Sequence, residues 1–166
     1  DKPTLKDYVD LPNVYPAGRL DTDSEGMLLL TDDGVLQARI ADPAHKLGKT
    51  YQVQVEGEPT DADLAPLRSG VDLGDFVTQP AHARMIPPPG QLWPRDPPVR
   101  FRQNIPTSWL EITVVEGKNR QIRRMTAKIG YPTLRLVRIA IGSWHLEGIA
   151  PGKWRELAVP PTLMRR

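Results

Sequence analysis

The sequence predicts an α+β fold built on a largely antiparallel sheet, and three observations carry that prediction. Tyr51–Glu56 alternates apolar and polar residues with period two, and Trp109–Val115 is rich in β-branched and aromatic residues, so both read as strands. Arg120–Ile129 has instead the three- and four-residue apolar spacing of a helix. Strands dominate, and they do not alternate with helices in the sustained way that a parallel sheet requires.

The elements follow in order. Pro3 and Thr4 suit a helix start, and Leu5, Tyr8 and Val9 fall at helical spacing, which predicts a short helix within residues 1–14. The apolar run Met27-Leu28-Leu29-Leu30 predicts a strand over Gly26–Leu30. Thr31-Asp32-Asp33-Gly34 offers a helix N-cap, Leu36, Ile40 and Ala41 line one face, and Pro43 stops that helix. Thr60-Asp61-Ala62-Asp63 opens another, with Leu64 and Leu67 inward and Gly70 as its stop. Residues 71–86 carry broken β patterns with a turn at Gly74-Asp75. Between Pro87 and Pro98 six of twelve residues are proline, which excludes a helix or a ladder; Leu92 and Trp93 make this an ordered loop within one domain. A strand is expected over Leu134–Ile141, and a closing hairpin joins Trp144-His145-Leu146 to Trp154-Arg155-Glu156-Leu157 around Gly148–Gly152.

A chain of 166 residues predicts one domain, or two closely fused lobes. The absence of cysteine excludes disulfides, thiol chemistry and thiolate metal sites. No apolar run approaches the length that spans a bilayer, and no signal-peptide pattern is visible. The first residue is Asp1 rather than methionine, and the expectation is that an upstream segment is missing. Net charge is +2, yet residues 1–75 hold 7 Lys/Arg against 15 Asp/Glu, a balance of −8, while residues 76–166 hold 15 against 5, a balance of +10. That asymmetry fits either a polyanionic partner or a fold that presses the acidic half against the basic half.

Several chemistries lack their residues. His45, His82 and His145 are far apart and without metal-ligand spacing, glycine-rich phosphate loops are absent, and Ser24 stands in no nucleophile elbow. The stretch Gly18-Arg19-Leu20-Asp21-Thr22-Asp23-Ser24-Glu25-Gly26 sets a carboxylate beside an arginine, and alone it could be an ordinary turn. Asp21, Asp23 and Glu25 alternate, which leaves a hard-cation site such as Mg²⁺ open. In the basic helix, Ile122, Met125 and Ile129 form an apolar stripe opposite Arg120, Arg124 and Lys128. Gly117 and Lys118 precede it, so its N-terminus suits a phosphate, although a solvated amphipathic helix has the same pattern. Arg123 lies between the two faces, and Arg135 and Arg138 follow on the next strand. Looped RNA offers phosphates to such a surface and splayed bases to an aromatic residue such as Tyr51.

Four stretches in order then resemble a known family: Gly18-Arg19-Leu20-Asp21, Lys49-Thr50-Tyr51, Glu116 to Met125, and Leu136 to Gly142. They are similar to the motifs of bacterial ribosomal RNA pseudouridine synthases of the small-subunit synthase A family. Within that family, Trp93–Pro98 and Pro106–Leu110 resemble the large-subunit pseudouridine synthases of the E type. The resemblance implies a pseudouridine synthase fold with a central catalytic cleft and one catalytic domain over residues 1–166. It implies a cofactor-free isomerase that acts on a flipped uridine of 23S ribosomal RNA, is monomeric and cytoplasmic, and uses no membrane, metal or nucleotide cofactor. By residue, it makes Asp21 catalytic, Arg123 the cation that keeps it ionised, Tyr51 the stacking aromatic and Leu136 the apolar floor of the pocket. Arg19, Lys118, Asn119, Arg120, Gln121, Arg124 and Arg138 are its expected substrate contacts. A strand register shifted by one residue would present Val137 in place of Leu136. The chain departs from the family at its start, where Lys2-Pro3 stands too close to Leu5 and Tyr8 to form the usual first strand, and no small N-terminal RNA-binding module is expected. Two other readings stand beside this one: a non-catalytic RNA-binding module, and a metal-dependent phosphoesterase using Asp21, Asp23 and Glu25.

Overall fold

The computed structural model describes residues 3–99 and 104–164. Its frame is a six-stranded sheet in the spatial order β2 (Glu25–Gly26), β7 (Thr133–Ile141), β4 (Lys49–Glu56), β6 (Thr107–Val114) and β5 (His82–Ile86), with β8 (Trp144–His145) also on β7. Among the described strands only β2 runs parallel to its neighbour. β1 (Tyr15–Ala17) and β3 (Leu29–Thr31) form a separate antiparallel pair. The helices are α1 (Gly34–Ala41), α2 (Asp61–Ser69), α3 (Gln121–Lys128) and α4 (Pro161–Met164).

The alternation of β6 shows why the sheet has one wet face. Leu110, Ile112 and Val114 are buried, whereas Trp109, Glu111 and Thr113 between them are half-buried. Cross-strand pairing of Val53 with Leu110 and Tyr51 with Ile112 puts the apolar residues of β4 on the same side. That side is closed by Leu64 and Leu67 of α2 and Ile122 and Met125 of α3, forming the larger core cluster. Truncating Leu110, which is fully buried, to alanine is expected to cost about 2–5 kcal/mol in equilibrium urea unfolding. A loss below about 1 kcal/mol would mean that this cluster is not the core. A smaller cluster gathers Ala17, Met27, Leu36, Ile40, Ile141, Trp144 and Leu163 under α1 and α4. Strand β7 joins the two, giving Leu136 to the first and Ile141 to the second.

The caps of α1 and α2 are those the sequence predicts. The Asp33 carboxylate accepts from the Val35 and Leu36 amides at 2.9 and 3.2 Å, and Thr60 and Asp63 close a reciprocal capping box. Four expectations change. The N-terminal helix is only a 3₁₀ turn, Leu5–Asp7, and Lys2 lies outside the described residues. The strand over Gly26–Leu30 is broken in two, β2 and β3, which belong to different sheets. Gly26 causes the break: at φ +108° it packs so tightly on β7 that a Cβ would overlap the Arg138 carbonyl, and the chain then turns away. β1, which sequence reading left unassigned, pairs with the released segment. The closing hairpin also differs, because Trp144–His145 folds straight back on Ala140–Ile141 through Gly142-Ser143. Residues 154–157 form no strand; the segment meets β8 through Arg155, which donates to the His145 carbonyl at 3.1 Å, and just beyond it the Ala158 carbonyl accepts from Trp144 Nε1 at 2.8 Å.

Candidate active site

Residues 18–24 form the loop between β1 and β2, tightened by a hydrogen bond from the Ser24 amide to the Asp21 carbonyl at 2.9 Å. Because β2 is seated on β7, the loop is carried by the sheet rather than by solvent. The Arg138 side chain reinforces this: its Nε donates to the Met27 carbonyl at 2.9 Å and its Nη1 to the Arg19 carbonyl at 3.1 Å.

From the other side the loop meets the start of α3. Arg120 holds a left-handed backbone, φ +53°, at the helix N-cap and binds Asp23 through both carboxylate oxygens at 3.0 and 2.9 Å. The same guanidinium lies 3.7 Å from Asp21. Arg123 donates to the Asp23 carbonyl at 2.9 Å, and its Nε lies 3.6 Å from the Asp23 carboxylate. The resemblance gives Asp21 the cation of Arg123; among the described residues the close ion pairs run from Arg120 to Asp21 and Asp23 and from Arg123 to Asp23, and the charge of Asp21 also acts on Arg123. The cause is geometric, since Arg120 at the left-handed N-cap and Arg123 in the first turn of α3 both converge on the same carboxylate. Hydrogen bonds from Arg120, helped by the charge of Arg123 and opposed by burial, hold the Asp23 carboxyl down to about 2. Burial pushes the Arg123 guanidinium below its ordinary value, with Asp23 acting against that shift.

Glu25 is committed elsewhere. It accepts from Arg135 Nε and Nη2, both at 2.9 Å, and from Trp93 Nε1 at 2.8 Å, with Arg95 at 3.6 Å. Arg135 also donates to the Trp93 carbonyl at 2.8 Å, so this network docks the proline-rich loop onto the strand that follows Asp21. Asp21, Asp23 and Glu25 thus do not converge, and no group of three or more metal-type side chains forms among the described residues.

Tyr51 is half-buried on β4 against the larger core, and its Cα partner on β7 is Arg138. Leu136 pairs with Val53, two residues along the same face, while Val137 pairs with Gln52 on the opposite face. The register therefore gives Leu136, rather than Val137, the side that carries Tyr51. In this way Tyr51 connects through Arg138 to the Arg19 carbonyl, two residues from Asp21.

The remaining expected contacts divide by exposure. Arg19, Lys118, Asn119 and Arg120 are exposed. Gln121 and Arg138 are inside the protein, 4% exposed each. Gln121 Nε2 donates to Glu116 at 2.9 Å, and its Oε1 accepts from the Lys118 amide at 3.2 Å, which shapes the turn into α3. Arg124 pairs with Asp75, donates to the Leu73 carbonyl and lies 5.5 Å from the Phe76 ring centre, with Lys118 Nζ at 5.6 Å. Sequence reading missed the parts played by Asp23, Trp93, Arg135 and Phe76. The alternation of acids in one half and basic residues in the other was visible, but nothing local matches them.

Comparison with known proteins accords with this geometry. Residues 4–128 match the family model described as RNA pseudouridylate synthase. The chain is 57% identical over 157 residues to a Vibrio vulnificus protein named ribosomal large subunit pseudouridine synthase E, covering 95% of this chain and 67% of the relative. A protein of the same name from Xanthomonas axonopodis pv. citri is 60% identical over 150 residues, covering 90% and 79%. A solved structure titled as a pseudouridylate synthase superposes with a TM-score of 0.77 at 30% identity, over 94% of this chain and 62% of that one. The sheet with its short helices is the pseudouridine synthase fold, and by the family model and these relatives the chain belongs to the RNA pseudouridylate synthases.

Proposed function

We propose that this protein converts a uridine of large-subunit (23S) ribosomal RNA to pseudouridine without a cofactor, with Asp21 as the reacting carboxylate. The observation that carries the proposal is the placing of Asp21, in a sheet-anchored turn 3.7 Å from a guanidinium, within a chain of this family. The substrate follows from the relatives, which are named as ribosomal large subunit synthases.

The reaction breaks the bond between N1 and C1′, turns the uracil, and joins C5 to C1′, after which the C5 proton leaves. One carboxylate must remain ionised in a site that a flipped nucleotide has partly dried. The quartet of Asp21, Asp23, Arg120 and Arg123 is suited to that need: two guanidinium groups face two carboxylates, so its formal charges cancel and it presents no net negative site to RNA phosphates. Arg120 faces both carboxylates, so it can balance the charge of Asp21 before the reaction and turn to Asp23 as that charge is lost. Tyr51 supplies a ring for the uracil, a stack worth about 1–3 kcal/mol, and Leu136 an apolar floor beside it. Exposed Arg19, Lys118 and Asn119 are suited to phosphates and flanking nucleotides.

The test is release of tritium from C5-labelled uridine in ribosomal RNA, with mapping of the modified position in cells with and without the gene. Turnover is expected to continue in excess chelator when a polyamine keeps the RNA folded. Loss of activity that only a divalent cation restores would instead support metal-dependent chemistry. Tight RNA binding with no tritium release would support a binding module.

A further inference from the structure

We propose that Arg138 is a positioning residue that fixes the Asp21 loop relative to Tyr51, rather than a contact to RNA; this rests on the reading of Asp21 as the reacting carboxylate. Arg138 meets the loop at both ends. Its side chain donates to the carbonyls of Arg19 and Met27, which flank Asp21 on either side, and its own carbonyl accepts from the Met27 amide at 2.7 Å. Gly26 permits this closeness, because any Cβ there would collide with the Arg138 backbone. On its other side Arg138 is the cross-strand partner of Tyr51, so one residue sets the spacing between the carboxylate loop and the aromatic strand.

The guanidinium is not placed to meet a phosphate. Arg138 is 4% exposed, and its Nη2 is sealed from solvent with no hydrogen-bond partner among the described residues. A buried cation with an unfilled donor is poorly suited to a purely structural post, where an apolar side chain would serve. Two carbonyls held by one planar fork are what arginine alone provides, since lysine offers a point charge that cannot span both in the same geometry.

The distinguishing variants are Arg138→Lys and Arg138→Met in the full chain, each checked for folding by circular dichroism. The expected result is a kcat about 100-fold lower in both. The Kd for ribosomal RNA should stay within about twofold of wild type, with an unchanged salt slope. Lysine should rescue little, although it keeps the charge. Hydrogen–deuterium exchange, which needs no turnover, should show faster exchange confined to residues 19–27. A Kd weakened about tenfold with a shallower salt slope, rescued by lysine, would make Arg138 an RNA contact and overturn the proposal. Unchanged kcat in folded variants, or unchanged exchange of the loop, would do the same. If the wild type itself shows no turnover, the activity reading fails, and the exchange result alone still decides whether Arg138 holds the loop.

Discussion

Replacing Asp21 by asparagine is expected to abolish tritium release, lowering kcat by at least about 10⁴-fold, while RNA binding and folding persist. The size follows from the chemistry: the neighbouring carboxylate, Asp23, is already held by Arg120 and Arg123, and removing a reacting residue of this kind typically costs that much. Folding persists because the side chain is 29% exposed and its ion pair with Arg120 is long, 3.7 Å. Pairs of that sort contribute about 0–1 kcal/mol. Asparagine keeps the shape and removes only the charge, so a variant that still turns over at the wild-type rate would show that Asp21 is not the reacting group.

Asp23→Asn is expected to show the second-largest effect, a kcat roughly 100-fold lower, and it separates the two acids of the loop. Asp23 is the anchor on which Arg120 and Arg123 rest. Without its charge both arginines are released toward Asp21, and the loop loses its tie to α3. The same variant carries a pH signature. The Asp23 carboxyl ionises at about 2 in the folded protein against 3.8 ordinarily, so its ionised form stabilises the fold above about pH 4. That contribution fades as pH falls from about 4 toward 2. The difference in urea stability between wild type and Asp23→Asn should be constant near neutrality, shrink through this window, and diminish in high salt because Asp23 is 41% exposed. A difference that does not change between about pH 7 and about pH 2.5 would mean that the arginines do not hold this carboxylate.

The charge asymmetry of the chain acquires a more specific meaning. The acidic half does lie against the basic half, through Asp23 with Arg120, Glu25 with Arg135 and Asp75 with Arg124, and these contacts assemble the loop, the proline-rich segment and α3 around Asp21. Part of the cationic surface that sequence reading reserved for RNA is thus engaged within the protein. Lys118 and Lys128 remain exposed on or beside α3, and Arg124 is already paired with Asp75.

How much was legible in advance depended on the distance between the residues involved. β4, β6, α1, α2 and α3 could be read because periodicity and capping belong to contiguous residues, and neighbours determine which face is apolar. Asp21, Tyr51 and Leu136 stand out through the resemblance of their motifs to the family, not through periodicity, which by itself makes Tyr51 and Leu136 ordinary core residues. The split of the Gly26–Leu30 run was hidden, since the obstacle that Gly26 avoids is the backbone of Arg138, far along the chain. So was the choice among carboxylates. Asp23 and Arg120 are 97 residues apart, and Glu25 and Arg135 are 110 apart. The sequence, through four ordered motifs that resemble the family, links an aspartate, an aromatic and a basic helix as candidates for one site. Only the tertiary structure decided that Arg120 reaches Asp21, that Arg123 rests on Asp23 and that Arg138 turns inward, because ion pairing and burial depend on the separation of side chains in space, which strand register and the crossing of α3 over the loop create.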